Sequence, residues 1–123
     1  MSDIHYVLLA VASPETSAAF YARLLGRQAV EASPTFAMFV MSNGLKLGLW
    51  ARHTMEPAVT EAPGASELVV AVEDKAAVLA MHEAWRGQGI AIIQTPTEMD
   101  FGYTFTALDP DGHRLRVFAP GAA

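Results

Sequence analysis

Short apolar runs alternate with turn-forming residues along this chain, and the whole pattern occurs twice. Tyr6-Val7-Leu8-Leu9-Ala10-Val11 is a bounded run of six apolar residues, which predicts a strand. Ser13-Pro14-Glu15 then predicts a helix start. Ser13 can cap the free N–H groups, and Pro14 falls at the first helical position, where its missing N–H costs nothing. Ala18, Tyr21, Leu24 and Leu25 recur at helical spacing up to Gly26, the predicted stop. Strand-like runs follow near 28–33, 36–41 and 45–51. Ser42-Asn43-Gly44 joins the last two as a hairpin, because Asn and Gly tolerate positive φ.

The second cycle begins with the strand Glu67-Leu68-Val69-Val70-Ala71-Val72. Asp74 is its helix cap, Val78, Met81, His82 and Trp85 share one helical face, and Gly87 is the predicted stop. Runs near 90–95, 102–108 and 113–118 follow, the last two joined by Asp109-Pro110-Asp111-Gly112, where Pro favours a type I turn and Gly closes it. Both halves therefore read strand, helix, strand, strand, strand. Tyr6 corresponds to Glu67 and Val11 to Val72, each 61 positions apart, while Leu47 corresponds to Leu115 and Gly48 to Arg116, each 68 apart. This predicts an α+β protein with a first module at 1–53, a Pro-, Glu- and Ala-rich linker at 54–65 and a second module at 66–123, together forming one domain. Each half is short for an independent core, so the sheets are expected to pair with each other or with a second chain.

Composition narrows the function. Of 123 residues, 52% are hydrophobic and 17% charged, which excludes a disordered chain and supplies apolar surface for a core, a lined pocket or a subunit interface. The net charge is −5 with no basic run, so no nucleic-acid partner is expected. Cysteine is absent, which removes disulfides, thiolate metal sites and a Cys nucleophile. No apolar run approaches the roughly 20 residues of a membrane span, so no membrane partner is expected. The start MSDIHYV lacks the features of a signal peptide, and a cytoplasmic location is expected. There is no Ser-His-Asp spacing, Gly-rich phosphate loop or HExxH motif. His53 lies by the linker, His82 on a helix face and His113 in a turn; these are read as structural or surface positions.

The stretch Phe105-Thr106-Ala107-Leu108-Asp109-Pro110-Asp111-Gly112-His113-Arg114-Leu115-Arg116-Val117 resembles the closing hairpin of the vicinal oxygen chelate superfamily. That superfamily includes glyoxalase, bleomycin- and fosfomycin-resistance proteins and extradiol dioxygenases. Val11 to Gly26, with Phe20-Tyr21 and Leu25-Gly26, resembles its first strand and helix. Leu49-Trp50, Glu56-Pro57-Ala58-Val59, Ser66-Glu67, Phe101-Gly102-Tyr103-Thr104-Phe105 and Asp109 to His113 together are similar to its phenazine-resistance-type, drug-binding members.

The resemblance implies tandem βαβββ modules whose strands form a curled mixed sheet, and a homodimer. In catalytic members a divalent metal is held by His and Glu at the start of each module's first strand and at a fixed place on its fourth. Those positions fall here on Tyr6, Gly48, Glu67 and Arg116. Gly48 has no side chain, and Arg116 offers only N–H donors and a permanent positive charge. A one-residue slip would bring His5 in for Tyr6 but turn it to the other sheet face. The metal is therefore read as lost, and no cofactor and no catalytic residue are assigned.

What remains is the expectation of a metal-free protein that binds a planar aromatic small molecule, in the manner of antibiotic-resistance sequestration. Trp50 is the expected stacking platform, with Gly48 leaving room beside it for a flat ring. Glu67 and Arg116 are expected as polar anchors, either paired with each other or with Arg116 awaiting an anionic group. Alternation sets Lys46 and Trp50 on the face of Gly48, and Arg114 and Phe118 on the face of Arg116. Pairing across the turn brings Thr104 and Thr106 to that same face. Met38, with either Phe36 or Phe39, is expected to line the matching wall beside Tyr6. Phe101 and Tyr103 are expected at a rim or lid, and Trp85 in the core. Two other functions compete: a metal-dependent glyoxalase- or dioxygenase-type enzyme, and a metal-free enzyme using Glu67 or Tyr6 as acid or base.

Overall fold

The computed structural model describes residues 2–121 and divides into two compact units between Glu61 and Ala62. In the first unit the elements are β1 (Tyr6–Val11), α1 (Pro14–Leu25), β2 (Glu31–Ala32), β3 (Phe36–Val40) and β4 (Lys46–Ala51), followed by a 3-10 turn at Arg52–Thr54. The strand order is β1-β4-β3-β2, with β1 parallel to β4 and the other pairs antiparallel. Ser13 caps α1 by accepting the Thr16 N–H at 3.2 Å, and Gly26 ends it in the left-handed region at φ 63°. The β3–β4 hairpin closes on Gly44 at φ 91°, with Asn43 Oδ1 accepting the Leu45 N–H at 3.0 Å.

The second unit repeats this order with β5 (Glu67–Ala71), α2 (Lys75–Gly87), β6 (Ile92–Met99), β7 (Gly102–Leu108) and β8 (Arg114–Pro120). Its sheet runs β5-β8-β7-β6, with β5 parallel to β8. Asp74 Oδ1 caps α2 on the Ala77 N–H at 2.9 Å. In the β7–β8 turn, Asp109 Oδ1 accepts the N–H groups of both Asp111 and His113 at 2.9 Å, so a carboxylate fixes the loop that Pro110 and Gly112 permit. The register confirms the sequence repeat: Tyr6 lies opposite Lys46 as Glu67 lies opposite Arg114, and Leu8 opposite Gly48 as Val69 opposite Arg116.

Three boundaries differ from the sequence pattern. Strand β2 keeps only two of the residues near 28–33. Ser33 Oγ accepts the N–H groups of Thr35 and Phe36, and this turn removes the following residues from the ladder. Gly87 does not stop α2 but is its last residue, and Gly89 takes the left-handed conformation at φ 80°. Strand β6 runs on to Met99, through two register shifts that bracket Gln94. Pro96, which cannot donate to a ladder, falls inside the second shift on this edge strand.

Each sheet has one covered face. In the first unit Leu9, Val11, Ala37, Phe39, Leu47, Leu49 and Ala51 share the face toward α1 and are all buried, together with Phe20 and Tyr21 of the helix. In the second, Phe105 is met edge-on by Trp85 and His82 of α2, each at 5.3 Å between ring centres, and Val117 and Ala107 are fully buried beside it. Trp85 is core, as its place in the sequence predicts. Among the described residues no helix is long and apolar enough to cross a membrane.

Candidate functional site

The sheet face opposite each helix carries the positions singled out by the sequence. In the second unit, parallel pairing and alternation place Glu67, Val69, Arg114, Arg116 and Phe118 on that face, and the antiparallel β7–β8 pairing adds Thr104 and Thr106. Arg116 grips Glu67 with two hydrogen bonds, Nε to Oε1 at 2.7 Å and Nη2 to Oε2 at 3.0 Å. Its Nη1 donates to Gln94 Oε1 at 3.1 Å and to Thr104 Oγ1 at 3.2 Å. Arg114 Nη2 lies 2.8 Å from Glu67 Oε2. Hydrogen bonding to Arg116 holds the Glu67 carboxyl below its ordinary range despite partial burial, and the charges of Arg116 and Arg114 add to the effect.

Of the two expectations for Arg116, the structure shows the pair. Four of the five guanidinium N–H groups are committed to Glu67, Gln94 and Thr104, so Arg116 is not waiting for an anion. Its guanidinium lies 5.7 Å from the Phe101 ring centre, and Phe101 meets Phe118 edge-on at 5.8 Å. Thr106 donates to Gln94 Oε1 at 3.0 Å and so helps hold the amide that steadies Arg116. The sequence pattern does not point to Gln94, because the register shifts in β6 break the alternation that would assign its face.

Tyr103 is placed elsewhere. It lies opposite Ala119, on the α2 side of the sheet, where Lys75 sits 5.3 Å from its ring centre and pairs with Glu98. Strand parity separates it from Arg116.

In the first unit Tyr6, Leu8, Lys46, Gly48 and Trp50 share the face away from α1. The β3 register settles the wall: Phe36 lies opposite Trp50 and Met38 opposite Gly48, on that same face. Phe39 lies opposite Leu47, toward α1, and is fully buried, so it is a core residue and leaves the expected wall. The room expected over Gly48 is also taken. A Cβ there would stand 2.6 Å from Leu8 Cδ2, 2.8 Å from Tyr6 Cε1 and 3.1 Å from Phe36 Cζ. The glycine is filled by its own neighbours, and the Tyr6 hydroxyl is further tied to Met38 Sδ at 2.9 Å. Burial, and then the charge of Glu31, raise the Tyr6 phenol above its ordinary pKa. Trp50 is half-buried beside this cluster.

These residues do not fit a divalent ion. In the first unit one implied ligand position has no side chain and the other is a phenol held in its neutral form. In the second, a guanidinium stands at one position, and the carboxylate at the other is taken by two cations. Among the described residues no group of three or more His, Cys, Asp or Glu side chains is gathered to hold a metal. A depression of about 180 Å³ beside the start of α1, lined by Pro14, Ala18, Pro34 and Ala37 among others, includes none of the residues expected at the site.

Residues 3–117 match the model of the glyoxalase/bleomycin resistance protein/dioxygenase superfamily, and the chain belongs to that family. It is 30% identical over 113 residues to the phenazine antibiotic resistance protein EhpR of Enterobacter agglomerans, covering 89% of this chain and 86% of that protein. A protein of Agrobacterium tumefaciens, ATC0852, solved in solution, is 48% identical with a TM-score of 0.91, over 99% of this chain and 100% of that one. A glyoxalase-related enzyme of Fulvimarina pelagi shares the fold, with a TM-score of 0.85 at 24% identity, over 97% of this chain and 88% of that one. The family thus holds drug-resistance proteins as well as glyoxalases and dioxygenases.

Proposed function

We infer that this protein binds a planar aromatic small molecule without a metal, protecting by sequestration and breaking no bond. The observation that carries this reading is the fork of Arg116 on Glu67, which occupies with an internal ion pair two of the four positions where catalytic relatives are expected to present metal ligands. The same pair argues against Glu67 as a general acid or base, since its carboxylate is held ionised with both oxygens engaged. Aromatic side chains on the helix-free faces support the ligand class: Tyr6, Phe36 and Trp50 in the first unit, Phe101 and Phe118 in the second. The likeness to a phenazine antibiotic resistance protein points the same way. A homodimer in the cytoplasm belongs to this reading.

Titration with phenazine-1-carboxylate, followed by tryptophan fluorescence, tests it. Saturable quenching that is lost in Trp50→Phe, with the compound recovered unchanged, is expected. Absence of binding, or conversion of the compound in the presence of a divalent ion, overturns it.

A further inference from the structure

The ion-pair cluster of the second unit is not electrically balanced. Two guanidiniums, Arg114 and Arg116, stand against one carboxylate, Glu67, which leaves one positive charge on the cluster. Arg116 is spent on its internal partners. Arg114 is not. Its side chain is 36% exposed against 15% for Arg116, its contact with Glu67 comes from one nitrogen, and its Nε is enclosed without a hydrogen-bond partner. Exposed apolar side chains share this cluster's face and surroundings: Val69, 54% exposed, and Phe101, 45% exposed and set against the Arg116 guanidinium. A weakly hydrated, planar cation two positions along β8 from Arg116, on the same face as the Arg116–Phe101 contact and Val69, suits a molecule that is flat at one end and anionic at the other.

We propose that Arg114 takes an anionic substituent of the ligand, so that the protein's preferred class is the aromatic carboxylic acid rather than the neutral ring. This rests on the binding function inferred above and narrows it. Glu67 is the positioning residue: held by Arg116, it fixes where the Arg114 guanidinium stands.

The test compares phenazine-1-carboxylate with phenazine-1-carboxamide, which share a ring system and differ in charge, by calorimetric titration of the intact protein. The carboxylate is expected to bind roughly tenfold more tightly, with the margin shrinking as salt is raised. Arg114→Gln is expected to erase the margin, and Arg114→Lys to keep part of it. Equal affinities in the wild-type protein, a comparison that needs no variant, overturn the proposal and leave the aromatic-binding function standing. A margin that survives in a folded Arg114→Gln protein also overturns it. Failure of both compounds to bind removes the binding function and this inference together.

Discussion

Arg116 closes on Glu67 as a fork, at 2.7 and 3.0 Å, across the 49 positions that separate them in the chain. An unpaired charge half-buried here would be costly, and planar guanidinium and carboxylate match so well that the pair becomes a fixed part of the surface. This leaves the two positions satisfied by each other.

Glu67 should therefore contribute to stability in a pH-dependent way. Its folded pKa is lowered, so as pH falls the unfolded chain takes up a proton first. The contribution is fully present above the unfolded carboxylate value of about 4.3 and is lost as pH falls through the lowered folded value. Replacing Glu67 by Gln should cost about 1–2 kcal/mol at neutral pH, because it also leaves two guanidiniums facing each other. Urea denaturation across pH 7 to 3 should show the wild type converging on Glu67→Gln at the acid end, the pH limits being about those set by ordinary carboxylate titration.

Gly48 should accept alanine at modest cost. The atoms a Cβ would meet are the tip of Leu8, the ring edge of Tyr6 and the tip of Phe36, and the Leu8 side chain, 43% exposed, can yield outward. A loss of about 1 kcal/mol is expected. In a Gly48→Ala/Leu8→Ala double variant the two effects should fall short of additivity, measured by denaturation, because both act on the same space.

Phe39 and Met38 are neighbours in sequence with opposite fates. Phe39→Ala opens a cavity under α1 and should cost about 3–5 kcal/mol. Met38→Ala lies on the half-exposed face and should cost about 1 kcal/mol or less while loosening Tyr6, whose hydroxyl it accepts. Chemical denaturation of the two variants side by side checks the parity of β3.

Trp50→Ala should weaken an aromatic ligand by about 1–3 kcal/mol, the worth of a buried aromatic contact. Calorimetric titration reads it directly, and unchanged affinity removes Trp50 as the platform.

Much of this architecture was legible in the sequence because the signals were local. Ser13 and Asp74 announced their helices through one hydrogen bond each, and Asn43-Gly44 and the Asp109–Gly112 turn fixed both closing hairpins. The family resemblance brought Arg116 and Glu67 to one place but left open whether they pair or Arg116 awaits an anion. What escaped depended on parity or on irregular backbone. No composition rule distinguishes Phe36 from Phe39 when both sides of a strand carry apolar residues. Gln94 was hidden by the register shifts around Pro96, and the filling of Gly48 depends on side chains from three strands meeting at one point.

Native mass spectrometry of the protein incubated with a mixture of manganese, iron, nickel and zinc ions and with phenazine-1-carboxylate tests the central claim most directly. The expected spectrum shows the chain carrying the intact organic molecule and no stoichiometric metal. A tightly retained metal ion, or a chemically altered organic species released from the protein, would contradict it.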